Sequence, residues 1–221
     1  NMTAGININY AATSEHTLIA NLRTVQYEND YDGTDFVTTG LPADSNNVTD
    51  GSQLSAKLRW EFAPENTGYR AALSAHYRKD ESDNTESGAD TGGTTGERIE
   101  FNWTAFYTID NWDFAGGVEY LQRLFNQRGP IAFGDPNQKQ HDNTYSVFAE
   151  TNGQLTDSLT ATLSARFDNN SEFDNAVSYR GGLIWQLNEY YAVFTSYGKA
   201  VKTPTFTERF GYFPASFIGN P

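Results

Sequence analysis

A chain of 221 residues with 28 acidic and 15 basic side chains, a net charge of −13 and no cysteine has no disulfides and no thiolate metal site. It also lacks the basic footprint that a nucleic-acid partner requires. Its hydrophobic fraction is only 38% and its mean hydropathy −0.62, yet it carries 15 Phe, 13 Tyr and 4 Trp. Patterned aromatics in so polar a chain exclude disorder and favour sheet that keeps one face wet. No apolar run approaches the ~18 residues of a membrane-spanning helix.

Taken in order, Ala4, Ile6, Ile8 and Tyr10 alternate with Gly5, Asn7, Asn9 and Ala11, which predicts a strand ending in the turn Thr13-Ser14-Glu15. A second strand sets Leu18, Ala20 and Leu22 against Thr17, Asn21 and Arg23. Val25 and Tyr27 then continue on the other parity, so a β-bulge is expected near Thr24. Residues 28–51 are acidic, Gly-rich and unpatterned and read as a long loop. The third strand places Leu54, Ala56, Leu58, Trp60 and Phe62 on one side, the turn 64–68 follows, and the fourth places Tyr69, Ala71, Leu73, Ala75 and Tyr77 there. Residues 80–96 read as a second long loop. Strand five carries Ile99, Phe101, Trp103, Ala105, Tyr107 and Ile109; after Asp110-Asn111, strand six carries Trp112, Phe114, Gly116, Val118 and Tyr120.

A third loop is expected over 126–142, then a seventh strand with Tyr145, Val147 and Ala149, and a short turn at 155–157. The eighth strand, residues 159–168, has the cleanest pattern: Leu159, Ala161, Leu163, Ala165 and Phe167 alternate with Thr160, Thr162, Ser164, Arg166 and Asp168. Ten residues exceed the usual five or six of soluble strands and match the about 9–11 needed to cross a bilayer. A shorter loop (169–175), a ninth strand with Val177, Tyr179, Leu183, Trp185 and Leu187, the turn Asn188-Glu189 and a tenth strand over 190–198 complete the series. Residues 199–221 read as a final loop.

Short and long connections alternate, as in outer-membrane barrels with short periplasmic turns and long outer loops. Nine of the fifteen basic residues, Arg23, Lys57, Arg59, Arg70, Arg78, Arg98, Arg123, Arg166 and Arg180, fall on the polar parity. The other six, Lys79, Arg128, Lys139, Lys199, Lys202 and Arg209, fall in expected loops or strand ends. A charge on the oily face would cost about 2–4 kcal/mol at the bilayer midplane. Trp60, Phe62, Tyr69, Tyr107, Trp112, Phe114, Trp185, Tyr190 and Tyr191 flank the short turns, where an interfacial girdle belongs. The fold expected is all-β, a transmembrane antiparallel up-and-down barrel contributing about ten strands as five hairpins, in contact with outer-membrane lipid. Both ends of the sequence look like mid-chain, so the chain reads as an internal fragment.

Candidate sites are few. Asp30, Asp32 and Asp35, spaced around Gly33, suit an oxygen-ligated calcium ion, with Asp44 or Asp50 as further candidate ligands, although acidic loops are commonly just solvated. His16, His76 and His141 lack zinc spacing. His76, on the polar face near the outer end of its strand, is the residue that a rim protease of the omptin kind would pair with carboxylates. The inward charges of Arg59, Glu61, Arg98, Glu100, Glu119, Arg123, Glu150 and Arg166 are expected to form cross-strand pairs.

The run Ser196-Tyr197-Gly198-Lys199-Ala200-Val201-Lys202-Thr203-Pro204-Thr205-Phe206, with Phe210-Gly211 and Gly219-Asn220-Pro221, resembles a stretch in the barrels of TonB-dependent outer-membrane receptors. Their usual form is Ser-Tyr-Gly, two residues, Phe-Lys-Ala-Pro-Thr, then Leu-Tyr-Gly and Gly-Asn-Pro-Asn-Leu. Val201, Thr203 and Phe210 replace the commonest Phe, Ala and Tyr. Residues 166–173 and 178–187 resemble the preceding hairpin in cobalamin and catecholate-siderophore receptors. The resemblance implies a barrel of twenty-two strands filled by an N-terminal plug, with neither plug nor TonB box in this sequence. It implies uptake of a scarce ligand such as cobalamin or a ferric siderophore with energy from the TonB complex, and calcium held in acidic loops near Asp30. The alternatives are an uncoupled pore or binding barrel and the rim protease. With only Arg128, Lys139, Lys199, Lys202 and Arg209 as basic groups in the expected loops, the ligand expected is neutral, of the cobalamin type.

Overall fold

The computed structural model describes residues 1–34, 38–131 and 134–216. Ten strands form one sheet: β1 (Met2–Ala11), β2 (His16–Thr34), β3 (Pro42–Phe62), β4 (Tyr69–Glu86), β5 (Ala89–Ile109), β6 (Trp112–Arg128), β7 (Gln138–Thr156), β8 (Leu159–Asn170), β9 (Ala176–Gln186) and β10 (Ala192–Lys199). A short helix, α1 (Phe206–Phe210), follows. Each strand is antiparallel to the next and their spatial order is their order in sequence.

The apolar mass is on the outside. Among the described residues the buried apolar side chains are Ala71, Ala72, Ala161 and Pro136, whereas Leu163 is 57% exposed, Phe101 50% and Val118 50%. These belong to a continuous oily face shared by neighbouring strands. In water such a face would be an aggregation surface; in lipid it is the solvated one. Where β2 to β6 meet their short turns, aromatic rings cluster on the same side. His16 stacks on Phe62 (4.9 Å) and Trp60 (5.6 Å), and the Trp60 indole N–H donates to His16 Nδ1 at 3.1 Å. Trp112 stacks on Phe114 at 6.2 Å. His16 is thus a girdle residue.

The strands are longer than their alternation indicates. β3 and β5 each have 21 residues, about 70 Å at about 3.3 Å per residue, roughly twice what a bilayer crossing takes. On β3 the oily series runs from Phe62 to Leu54 and gives way to Ser52 and Asp50. Yet pairing with β2 continues from Thr24↔Leu54 to Tyr31↔Asn47. The loop expected at 28–51 is therefore mostly a paired ribbon. The loop expected at 80–96 is a hairpin whose turn is Ser87-Gly88, with φ of 52° and 82°, the double left-handed geometry of a type I′ turn. Beyond the membrane both faces meet water, so period two in polarity lapses while the hydrogen-bond ladder does not.

There is no bulge at Thr24. The β2–β3 register is unbroken from His16↔Phe62 to Tyr31↔Asn47, and shifts only between Tyr31 and Gly33. Val25 and Tyr27 simply stand on the inner face with Arg23. Tyr27 fits there because its ring covers Gly51 directly opposite, where any Cβ would overlap it.

Candidate functional site

The face opposite the oily one is the inner wall, and its charges are ordered by register. Direct cross-strand partners share a face, and one such row runs Gly5↔Arg23↔Ser55↔Arg78↔Arg98↔Arg123↔Asp142 across β1 to β7. The oily face changes to polar at this height, with Tyr77 and Ile99 on the short-turn side and Lys79 and Glu97 on the long-hairpin side, so the arginines stand at the mouth formed by the long hairpins. Like charges directly opposite are destabilising by a few tenths to about 1 kcal/mol per pair, and carboxylates offset this. Arg78 donates to Asp80 through Nε (2.7 Å) and Nη2 (2.8 Å), and Arg98 Nη2 to Glu100 at 2.7 Å. Arg123 grips Asp142 with two bonds of 2.8 and 2.5 Å. Asp142 is 1% exposed, whereas the side chains of Arg78 and Arg98 are 48% and 47% exposed.

The row below, Asn7↔Asn21↔Lys57↔His76↔Glu100, brings Lys57 and His76 under Arg23 and Arg78. Ser55 Oγ and His76 Nε2 share a hydrogen bond of 3.0 Å. Further round, Arg166 donates to Glu119 (2.7 Å), Asp168 (2.7 Å) and Ser146 (2.7 Å), while Ser146 donates to Asp168 at 2.6 Å.

The segment after β10 is laid over one end of the arginine row. Phe206 stacks on Phe125 (5.8 Å) and covers the Arg123 guanidinium (5.4 Å). Gln127 Nε2 donates to the carbonyls of Pro136 (3.0 Å) and Tyr212 (2.9 Å), and Gln138 Nε2 to that of Gly211 (3.0 Å). Arg209 reaches Glu172 at 3.3 Å and lies over Phe173 and Phe210. α1 begins with a capping box between Thr205 and Glu208. Hydrogen bonds from Lys202 first, then from Thr205, hold the Glu208 carboxyl down at about 2.

Several expected pairings take another form. Arg59–Glu61 (2.6 Å) and Arg98–Glu100 are two residues apart on one strand, a spacing of about 6.6 Å that Arg spans easily. Arg123–Asp142 is cross-strand, and Arg166 reaches Glu119 across the intervening β7. His16, His76 and His141 stand on β2, β4 and β7, and the His76 hydrogen bond goes to Ser55, not to a carboxylate. Asp30 is exposed on the outer face of β2 opposite Val48, and Asp32 lies in the register shift. Asp35 lies outside the described residues. Asp50 faces Glu28. Among the described residues no three His, Asp or Glu side chains converge as a metal site requires. What sequence reasoning missed was the arginine row and its buried partner Asp142. Counting register outward from the short turns aligns Ser55 with Arg78 and Arg98 with Arg123, but the step from Arg78 to Arg98 depends on a slip in the long β4–β5 hairpin.

An antiparallel meander that is oily outside, charged inside and girdled by aromatics at its turns is the wall of a transmembrane β-barrel. The model of the TonB dependent receptor-like β-barrel family matches residues 3–221, and the chain belongs to that family, in the bacterial outer membrane. Its fold is similar to that of the siderophore receptor PirA from Acinetobacter baumannii, with a TM-score of 0.76, 19% identity and 95% of this chain covered. It is also similar to the RagAB peptide importer in its open-open state (TM-score 0.60, 13% identity, 89% covered) and the ferric citrate transporter FecA in unliganded form (0.55, 14%, 88%). The chain spans 35%, 32% and 35% of those three chains, respectively.

Proposed function

We propose that this chain forms part of the wall of an active-transport receptor, energised by the TonB complex through a plug domain, and that its ligand is an anionic ferric chelate of the siderophore class. The observation that carries the reading is the arginine row. Over that row and the rows next to it, Arg23, Lys57, Arg78, Arg98 and Arg123 face Asp80, Glu100 and Asp142. That leaves a surplus of two positive charges on a chain whose net charge is −13. In an otherwise acidic protein, a basic concavity at the outer mouth steers and holds anions. Two of the similar structures are a siderophore receptor and a ferric citrate transporter, which agrees with this class. The neutral, cobalamin-type ligand expected from the sequence rests on the basic groups of the loops alone and leaves out those of the inner wall.

The test is a titration of the full-length receptor with a trianionic ferric tris-catecholate, a neutral ferric trihydroxamate and cobalamin. The trianion should bind tightest, more weakly as salt rises, and Arg78→Gln and Arg98→Gln should each lose about tenfold, about 1.4 kcal/mol. Preferential, salt-independent binding of cobalamin would remove the reading.

A further inference from the structure

The basic side chains of the arginine row and of the row below it fall into two groups. Arg78, Arg98 and Arg123 at the mouth each hold a carboxylate. Arg23 and Lys57, between β1 and β4, have no carboxylate within ion-pair distance among the described residues. Register brings these two together. Arg23 is opposite Ser55, Lys57 lies between Asn21 and His76, and the Ser55–His76 hydrogen bond closes the far side. Asn7, Asn21, Arg23, Ser55, Lys57 and His76 line one recess on that wall. Ala56, Leu58 and Ala75, the outer-face neighbours of Lys57 and His76, belong to the oily belt, so the recess runs from the arginine row down into the depth of the membrane.

We infer that this recess, at the carboxylate-free end of the arginine row and apart from the acid-paired Arg78, Arg98 and Arg123, is a second anion site, which takes a carboxylate, phosphate or similarly charged oxygen-rich group by charge from Arg23 and Lys57 and hydrogen bonds from Asn21 and the Ser55–His76 pair. Two cations about one residue pair apart, with neutral donors between them and no carboxylate, form the donor set that recognises such a group. The mouth arginines spend much of their hydrogen-bonding capacity on their own acids, whereas these do not. As a step in transport the inference rests on the proposed function. An anionic ligand released from the mouth next meets a site where it does not compete with resident carboxylates, so the inward step is downhill.

The experiment uses full-length receptor in detergent and inorganic phosphate as the probe, followed by line broadening of its phosphorus resonance. Wild type should bind phosphate. The Arg23→Gln, Lys57→Gln double variant should weaken that binding at least fivefold, Lys57→Arg should hold it within twofold, and Arg78→Gln, Arg98→Gln should leave at least half of it. Unchanged binding in the Arg23, Lys57 double variant overturns the site. So does absence of phosphate binding in wild type, the result expected if carboxylates of a polypeptide inside the barrel already occupy the recess. A gel-shift check of heat modifiability confirms that each variant has folded. This readout needs no ferric chelate, so its failure is separable from failure of the proposed ligand class. With a ferric tris-catecholate on intact cells, the double variant, which also removes the two surplus charges of the mouth, should weaken surface binding and, per molecule bound, slow entry about fivefold to tenfold. Entry per molecule bound at the wild-type rate would remove the transport role.

Discussion

The belt and the mouth of this wall are built on one continuous hydrogen-bond ladder but held by different side-chain chemistry. In the belt, Leu163 on β8 stands between Thr151 and Gly181 on the oily side, with Thr162 and Ser164 turned inward. Above it, carboxylates and cations occupy both faces: on the outer one Arg128 bridges Asp83 (2.7 Å) and Asp90 (2.6 Å) and Lys79 meets Glu81 at 2.6 Å, and on the inner one Arg78 meets Asp80 at 2.7 Å. The difference teaches that lipid, not the ladder, imposes the side-chain rule. Strand is maintained wherever backbone groups pair, and polarity alternates only where the two faces meet different solvents.

The largest expected effect comes from violating the belt's rule. Leu163→Arg puts a charge into hydrocarbon at about 2–4 kcal/mol, and should abolish heat-modifiable, folded receptor in the outer membrane. Thr162→Arg, one residue away but inward, should assemble as wild type. Equal assembly of the two variants would mean that the faces are assigned wrongly.

An intermediate effect should appear at the mouth. Arg123→Ala strips Asp142, which is 1% exposed, of both its charged bonds. It also removes the cation under Phe206. Leaving a buried acceptor unsatisfied costs about 1–3 kcal/mol, more when it is charged. That cost should fall locally, so limited proteolysis within residues 205–213 should speed up several-fold while the belt stays resistant. Cleavage at the wild-type rate would show that segment 205–213 is held without Arg123, by Gln127 and Gln138 alone.

The same contrast explains what could be read from sequence. Residues 159–168 declared their strand and its lipid face because Leu, Ala and Phe alternate with Thr, Ser and Arg under an oil–water asymmetry. Residues 28–51 and 80–96 lie where that asymmetry is gone, so paired strand looked like loop. The resemblance around Ser196 to Phe206 marked the segment that covers the mouth. Its docking could not be seen, because Gln127 and Gln138 bind the backbone carbonyls of Tyr212 and Gly211, which carry no residue signature. The arginine row depends on register. From Glu86↔Ala89 and Thr85↔Asp90 the pairing slips by one to Asn84↔Gly92, with Thr91 as the extra residue and Gly92 at φ 118°. Without that slip Arg78 would face Glu97 and not Arg98, since one residue of register exchanges the faces.

The smallest expected effect concerns acid. Glu208 is exposed, and its carboxyl is held at about 2, down from 4.5, by Lys202 (2.8 Å) and the Thr205 backbone N–H (2.7 Å). A carboxyl whose folded value is depressed contributes stability that is fully present above its unfolded value. The contribution shrinks as pH falls from about 4.5 and is gone once pH passes below about 2. Only the Thr205–Glu208 cap of α1 should respond, because the belt is held by backbone pairing and lipid. Hydrogen-exchange protection of residues 206–211, compared between wild type and Glu208→Gln at each pH, should differ most at pH 5 to 7 and converge near pH 2, with β8 protected equally throughout. A gap that stays constant from pH 7 to pH 2 would assign α1 to its stacking on Phe125 instead of to its cap, and loss of β8 protection in step with α1 would erase the independence of mouth and belt.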